Sequence, residues 1–353
     1  MMNNPKELFI RKLQSKKDEL AVKITELHFK HHPELDKKYG EQGREKCRED
    51  AVYHLNYLIE ALQIDSPELF HHYLEWAYNM LEARNIPIDD LVENIRYIRD
   101  VISGEFSADE AKMAISFLES GAEHLEKLEP EKESFLLPDQ PLSNEALQYL
   151  NFLLSGNRDQ AAQIIDQLVE KGTPVVDIYE HIFQATQYEV GALWQRNEIT
   201  VAHEHYCTAA TQLIMSRLYP QIFSGEKNGL KLIACSVASE LHEIGIRMVS
   251  DFFEMDGWDT YYMGSNMPEA HLLESLREHD ANLLAISVTL PIHISRVESI
   301  IRNVRDLPEF KDLKIMAGGY PFGIVPNLTE KVGADATAIN ARQAISKANA
   351  MVS

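Results

Sequence analysis

The stretch KLIACSVASELHEIG, residues 231–245, decides the architecture of the C-terminal half. From Leu232 to Ala238 it is apolar or small with no alternation, and a turn then delivers Glu240, His242 and Gly245 in quick succession. A strand with one wet face alternates polar and apolar residues, whereas a continuous apolar run suits a strand covered on both faces, as in a parallel sheet between helices. Four more short runs follow: DTYYMG (259–264), LLAISVT (283–289), LKIMAGG (313–319) and ADATAI (334–339), with amphipathic stretches between them. Residues 229–353 are therefore expected to form a Rossmann-like, flavodoxin-like α/β domain with a parallel sheet. In such sheets ligands sit beyond the carboxyl ends of the strands, where strand order reverses.

Upstream, the period changes to that of helices. NEALQYLNFLLSG (144–156), RDQAAQIIDQLVEKG (158–172), PVVDIYEHIFQATQYEVGALWQRNE (174–198) and ITVAHEHYCTAATQLIMSRLYP (199–220) are amphipathic segments with Gly- or Pro-marked joints, which predicts a four-helix bundle over 144–225. Before it, the acidic stretch EPEKESFLLPDQPLSN with Pro130, Pro138 and Pro141 reads as a linker, residues 131–143. Residues 1–130 carry five helical patterns, among them ELAVKITELHFKHH (19–32) and DAVYHLNYLIEALQI (50–64), with starts marked at Ser66-Pro67 and Ser107. The expected plan is all-α followed by α/β.

The chain has 353 residues and a formal net charge of −21, which disfavours a broad phosphate-binding surface and so direct DNA binding or an anionic membrane. Cys47, Cys207 and Cys235 are scattered without a CxxC pair, as suits a reducing cytoplasm. No stretch approaches the roughly 18 apolar residues of a membrane span, and the N-terminus has no signal-peptide pattern.

Three clusters fall on the expected ligand edge: Glu240, His242 and Gly245; Ser287 and Thr289; Gly318 and Gly319. A carboxylate paired with an imidazole fixes its tautomer and makes the other ring nitrogen a better metal donor. Small residues after the neighbouring strands leave room for a long ligand. This pattern resembles the signature of the cobalamin-binding Rossmann-like domain, DxHxxG, SxL or SxT, and GG. The resemblance implies that His242 is the lower axial ligand to cobalt in place of the cofactor's own dimethylbenzimidazole, that Glu240 is its partner and Gly245 a close-approach position. It makes Ser287, Thr289, Gly318 and Gly319 contacts of the nucleotide tail. Glu240 stands where the family has Asp, and its extra methylene predicts a shifted or water-mediated bond to His242.

Trp194, followed by Glu204 and His205, resembles the helical cap of adenosylcobalamin-dependent light sensors, in which Trp covers the upper corrin face and Glu and His approach the upper axial group. By that likeness the cofactor is adenosylcobalamin, and its photolysis changes conformation and oligomeric state. The His that follows the Trp in the light-sensing repressors is Gln195 here, so the expected photoproduct carries either water or another His, such as His203 or His205, on cobalt. A second metal is not expected, because residues two apart on a helix do not share a face and HExxH is absent.

Instead of a basic DNA-binding module, the first domain is rich in His and aromatics: His28, His31, His32, Tyr53, His54, Tyr57, His71, His72, Tyr73, Trp76, Tyr78 and Tyr97. The whole plan is similar to the photocobilins, which add a linear tetrapyrrole to B12, and implies biliverdin or another bilin as a second chromophore. Cys47 offers a thioether but lies in the charged run REKCRED and reads as a surface thiol. The expected role is a cytoplasmic, homo-oligomeric photoreceptor without catalytic residues, acting on an unknown output protein. The rival is a corrinoid carrier in methyl transfer. An adenosylcobalamin mutase subunit is the weakest reading, since no barrel-length region is present.

Overall fold

The computed structural model describes residues 5–129, 134–223 and 225–352. They fall into two compact units, one running to residue 130 with the short stretches 290–295 and 324–326, the other holding the rest.

The first unit contains five helices, α1 (Pro5–His31), α2 (Pro33–Ile64), α3 (Pro67–Glu82), α4 (Ile88–Glu105) and α5 (Ala108–Leu125), as the periodicity predicts. Proline opens α2 and α3, where a missing N–H leaves nothing unpaired. At Ser107 the expected start is built as a reciprocal cap: the Glu110 carboxylate accepts from the Ser107 backbone N–H at 3.2 Å and from its hydroxyl at 2.8 Å. Ser66 instead turns its hydroxyl to Glu68, 2.7 Å away. Leu13, Leu20, Ile24, Leu55, Leu58, Ile95 and Ile98 are fully buried and form the centre of this unit.

In the second unit the described part of the expected linker, from Ser134 onward, is turns without regular structure, and residues 131–133 lie outside the described residues. The bundle follows: α6 (Ser143–Leu154), α7 (Arg158–Glu170), then α8 (Val175–Ile178) and α9 (Ala185–Gln195) joined by a π-helical turn (Tyr179–Gln184), then α10 (Val201–Ser216) and the short α11 (Tyr219–Ile222). The third segment, expected as one regular helix, thus carries a widened turn. It directs the Tyr179 hydroxyl to the buried Asp251 carboxylate at 2.8 Å.

The sheet has four strands, β1 (Lys231–Ser236), β2 (Asp259–Tyr262), β3 (Leu283–Ser287) and β4 (Lys314–Gly318), all parallel in the order β2-β1-β3-β4. Around it run α12 (Ile244–Met255), α13 (Glu269–His279), α14 (Ile294–Arg305), α15 (Pro321–Ile324), α16 (Leu328–Val332) and α17 (Ala341–Val352). The expected fifth strand, ADATAI, is corrected to a single bridge between Ala336 and Met316. Asp335 explains why: its side chain takes the Ile315 N–H at 2.7 Å, a donor that a longer ladder would use. Trp258 is fully buried and packs with Phe253 in the core beside the sheet. Met248 and Phe252 on the other side of α12 join the core of the bundle, so one helix serves two hydrophobic cores.

The register aligns Ser236, Ser287 and Gly318 abreast at the carboxyl end of β1, β3 and β4. Strand order reverses between β1 and β3, and the residues after those strands are the ones a ligand would meet.

Candidate cofactor site

Beyond Ser236 the chain makes a tight loop. Ser239 takes a left-handed φ of 67° and Asn266, on the neighbouring connection, one of 55°. Asn266 accepts the Ser239 N–H at 2.8 Å and donates its own N–H to the Glu240 carbonyl at 2.9 Å. Arg296 donates to the Ala238 carbonyl at 2.8 Å and to the Ser239 hydroxyl at 3.0 Å. The buried Ser236 hydroxyl donates to the His242 carbonyl at 3.0 Å. These four residues were not assigned a role from the sequence; Ser239, Asn266 and Arg296 meet only because connections distant in sequence come together.

The loop folds around Glu240, whose exposure is 0%. Its carboxylate accepts from His242 Nδ1 at 2.5 Å, from the His242 backbone N–H at 3.1 Å and from the Thr289 N–H at 2.8 Å. The expectation of a shifted or water-mediated bond is corrected. The extra methylene lets one carboxylate reach the imidazole and the chain after β3 together. With Nδ1 held, Nε2 is the ring nitrogen that has no hydrogen-bond partner among the described residues, on a side chain 56% exposed. The His242 pKa is raised, first by the bond to Glu240, with burial opposing it and the Glu204 carboxylate of α10 adding to it. The acid of the bundle and the imidazole of the sheet therefore share one electrostatic environment.

At Gly245, in the first turn of α12, an added Cβ would meet open space. Gly319 is different: at φ 111° a Cβ would lie 1.9 Å from the Val288 carbonyl oxygen, so glycine is required by the close approach of two chain segments whatever else it touches. Ser287 and Thr289 are half-buried, and the Gly318 carbonyl accepts the Val288 N–H at 3.0 Å.

In the bundle, Trp194 is half-buried in the last turn of α9. Glu204 and His205 open α10, with carboxylate and Nδ1 2.5 Å apart and the Thr208 hydroxyl donating to Glu204 at 2.9 Å. The His205 side chain is 76% exposed. His203, the other residue expected as a substitute ligand, has Nδ1 2.8 Å from the Thr200 hydroxyl, where it caps α10. Bundle and sheet are clamped behind this site. Gln212 donates to Glu243 at 2.7 Å, and Arg247 to the Ser216 and Tyr219 hydroxyls at 2.8 and 3.1 Å.

Asp177, Glu180 and His181 also converge, but Arg342 already binds both carboxylates, at 2.7 Å to Asp177 and 2.9 Å to Glu180. In the first unit several of the His and aromatic residues contact one another. His28, His31 and His32 surround Tyr97; His54 accepts from the Tyr73 hydroxyl at 2.7 Å, with Tyr57 stacked on Tyr73 at 3.7 Å; His71 stacks on His124 at 4.7 Å. Tyr53 and Trp76 remain exposed. Cys47, expected at the surface, is half-buried, and burial pushes its thiol pKa up to about 11. No described helix is long and apolar enough to cross a membrane.

Comparison with known proteins assigns these regions. Residues 146–219 and 230–348 each match a family model described as B12 binding domain, and residues 8–125 match one described as phycobilisome protein. The dimethylamine corrinoid protein of Methanosarcina barkeri is 25% identical over 59% of this chain and 98% of its own length. A corrinoid protein of Desulfitobacterium hafniense is 21% identical over 56% of this chain and 92% of its own length. Among solved structures, the monomethylamine corrinoid protein of Methanosarcina barkeri covers 59% of this chain and 98% of its own, with TM-score 0.53 and 20% identity, a likeness that shows the fold alone. These relatives are described as corrinoid proteins, not as photoreceptors. Through residues 146–219 and 230–348, the chain belongs with the B12 binding domains.

Proposed function

We propose that this chain binds a cobalamin between the bundle and the sheet, with His242 Nε2 as the lower axial ligand to cobalt. The observation that carries the reading is the fully buried Glu240 carboxylate, which holds Nδ1 at 2.5 Å and presents the other ring nitrogen on an exposed side chain. The residues fit the group. Gly245 keeps the approach to the sheet edge open, and Ser287, Thr289, Gly318 and Gly319 line the way for a nucleotide tail. Trp194, Glu204 and His205 would hold the group from the side of the bundle. When bound, the corrinoid supplies a cobalt–carbon bond that is labile both to nucleophiles and to light. The chain's own residues hold the metal from below, orient the ring and shield it from water.

Two uses of that bond separate by measurement. The names of the corrinoid relatives favour a carrier in methyl transfer, working with a separate partner. A light sensor is favoured by a specific observation. The Methanosarcina relative is covered almost whole by 59% of this chain, and residues 8–125 match the phycobilisome protein family instead, which supports a bilin-class chromophore and a sensory input. That domain, the adenosyl upper ligand and a change in self-association on illumination belong together in this second reading. The test is dark purification, loading with methyl- or adenosylcobalamin, and absorption spectra with size-exclusion chromatography before and after illumination. A bilin band and a light-dependent change of elution establish the sensor. Preference for methylcobalamin with no light response establishes the carrier. Corrinoid uptake unchanged by His242→Ala overturns both.

A further inference from the structure

The linker that precedes the bundle ends on a charge buried inside it. Glu189, on α9, is 6% exposed. Its carboxylate accepts from the Ser134 hydroxyl at 2.9 Å, from the Phe135 backbone N–H at 2.7 Å and from the Arg196 guanidinium at 3.1 Å. Phe135 also packs edge-on against Tyr188, with ring centroids 5.3 Å apart, and Leu136 packs on the bundle core. Arg196 stands two residues beyond Trp194, in the turn that closes α9, where Asn197 donates its N–H to the Trp194 carbonyl at 3.0 Å. The same guanidinium holds Glu198 at 2.8 Å across that turn.

We propose that Glu189 is a positioning residue that latches the linker to the Trp194 turn, so that tension or release in residues 134–135 moves Trp194. A buried carboxylate is tolerated only while its donors stay in place. Withdrawing Ser134 and Phe135 strips it of two, and the burden falls on Arg196, whose position sets the turn. Residues 134–135 come just before α6 in the chain, and among the described linker residues they are the ones that bond to Glu189. The inference rests on the proposed cobalamin site for its functional meaning, because Trp194 is there one of the residues that would hold the group.

The test uses the full chain labelled with 5-fluorotryptophan, which gives three fluorine resonances, one each for Trp76, Trp194 and Trp258. The Trp194 line is assigned with Trp194→Phe. Ser134→Ala, a mild change outside every helix, is expected to shift or broaden the Trp194 line and leave the other two in place. Glu189→Gln is expected to do the same more strongly. In cobalamin-loaded protein, both are expected to shorten cofactor residence by about tenfold, the scale of one lost bond to a buried charge. An unmoved Trp194 line in Ser134→Ala overturns the latch. If wild-type protein takes up no cobalamin, the reading of the site fails, while the fluorine spectra of the unloaded chain still decide the latch.

Discussion

Replacing Glu240 with Gln tests the centre of the site with almost no change of volume. Among the donors to the carboxylate are His242 Nδ1, His242 N and Thr289 N, at 2.5, 3.1 and 2.8 Å, in a position with no solvent exposure. An amide keeps one acceptor oxygen and turns an NH2 group toward a donor, so at least one charge-assisted bond is lost. At about 1.5–3 kcal/mol for such a bond, cobalamin affinity at pH 8 should fall by about 10- to 100-fold, which is also the usual cost of removing the partner of a metal-bound imidazole. The pH profile adds a sign. His242 has a raised pKa because of Glu240, so its proton competes with cobalt for Nε2 and binding weakens as pH falls through that raised value. In Glu240→Gln this acid limb should move down toward the ordinary imidazole value of about 6.5. The gap between variant and wild type therefore narrows as the solution is acidified. Titration of cobalamin into unloaded protein from pH 5 to 9, followed by absorbance, reads both effects. Equal affinity at pH 8, or an acid limb that moves upward, refutes the reasoning.

Two glycines should separate structure from binding. Gly319→Ala forces a Cβ to 1.9 Å from a backbone oxygen at a left-handed φ, and is expected to cost about 3 kcal/mol or more in thermal unfolding of the unloaded protein. Gly245→Val meets open space, so unloaded stability should stay within about 0.5–1 kcal/mol while cobalamin uptake is lost. Unimpaired uptake would show that nothing approaches that face. Asp251, 5% exposed and bonded to Tyr179, has its pKa raised by burial from 3.8 to about 6. A raised folded-state value gives stability that is complete below the unfolded pKa and is lost as pH rises through the folded one, here by about 3 kcal/mol between roughly pH 4 and 6. Asp251→Asn keeps an acceptor for Tyr179 and should unfold several degrees above wild type at pH 8, with little difference at pH 4.

The sheet edge was legible because its determinants are local. Apolar runs announce buried strands, and each cluster of site residues follows its own strand directly. The helices of the first domain and of the bundle were legible for the same reason. ADATAI was misread because its composition suits a strand, while the acid within it, Asp335, spends its side chain on the neighbouring backbone. Glu240 was recognised as the partner of His242, yet its second engagement, the amide of Thr289, depends on two loops meeting 49 residues apart.

By itself the sequence determined the helices and the four strands that form, though not that ADATAI would stay a single bridge, and which imidazole stands at the end of β1 with an acid two residues before it, since hydrophobic period and turn chemistry are short-range properties. Only the tertiary structure decided that Glu240 is wholly buried and shared between β1 and β3, that Gly319 is required by the Val288 carbonyl, and that Glu189 ties the linker to the Trp194 turn. Each of these depends on a contact between segments far apart in the chain, and the energy of a buried charge is set by which donors surround it.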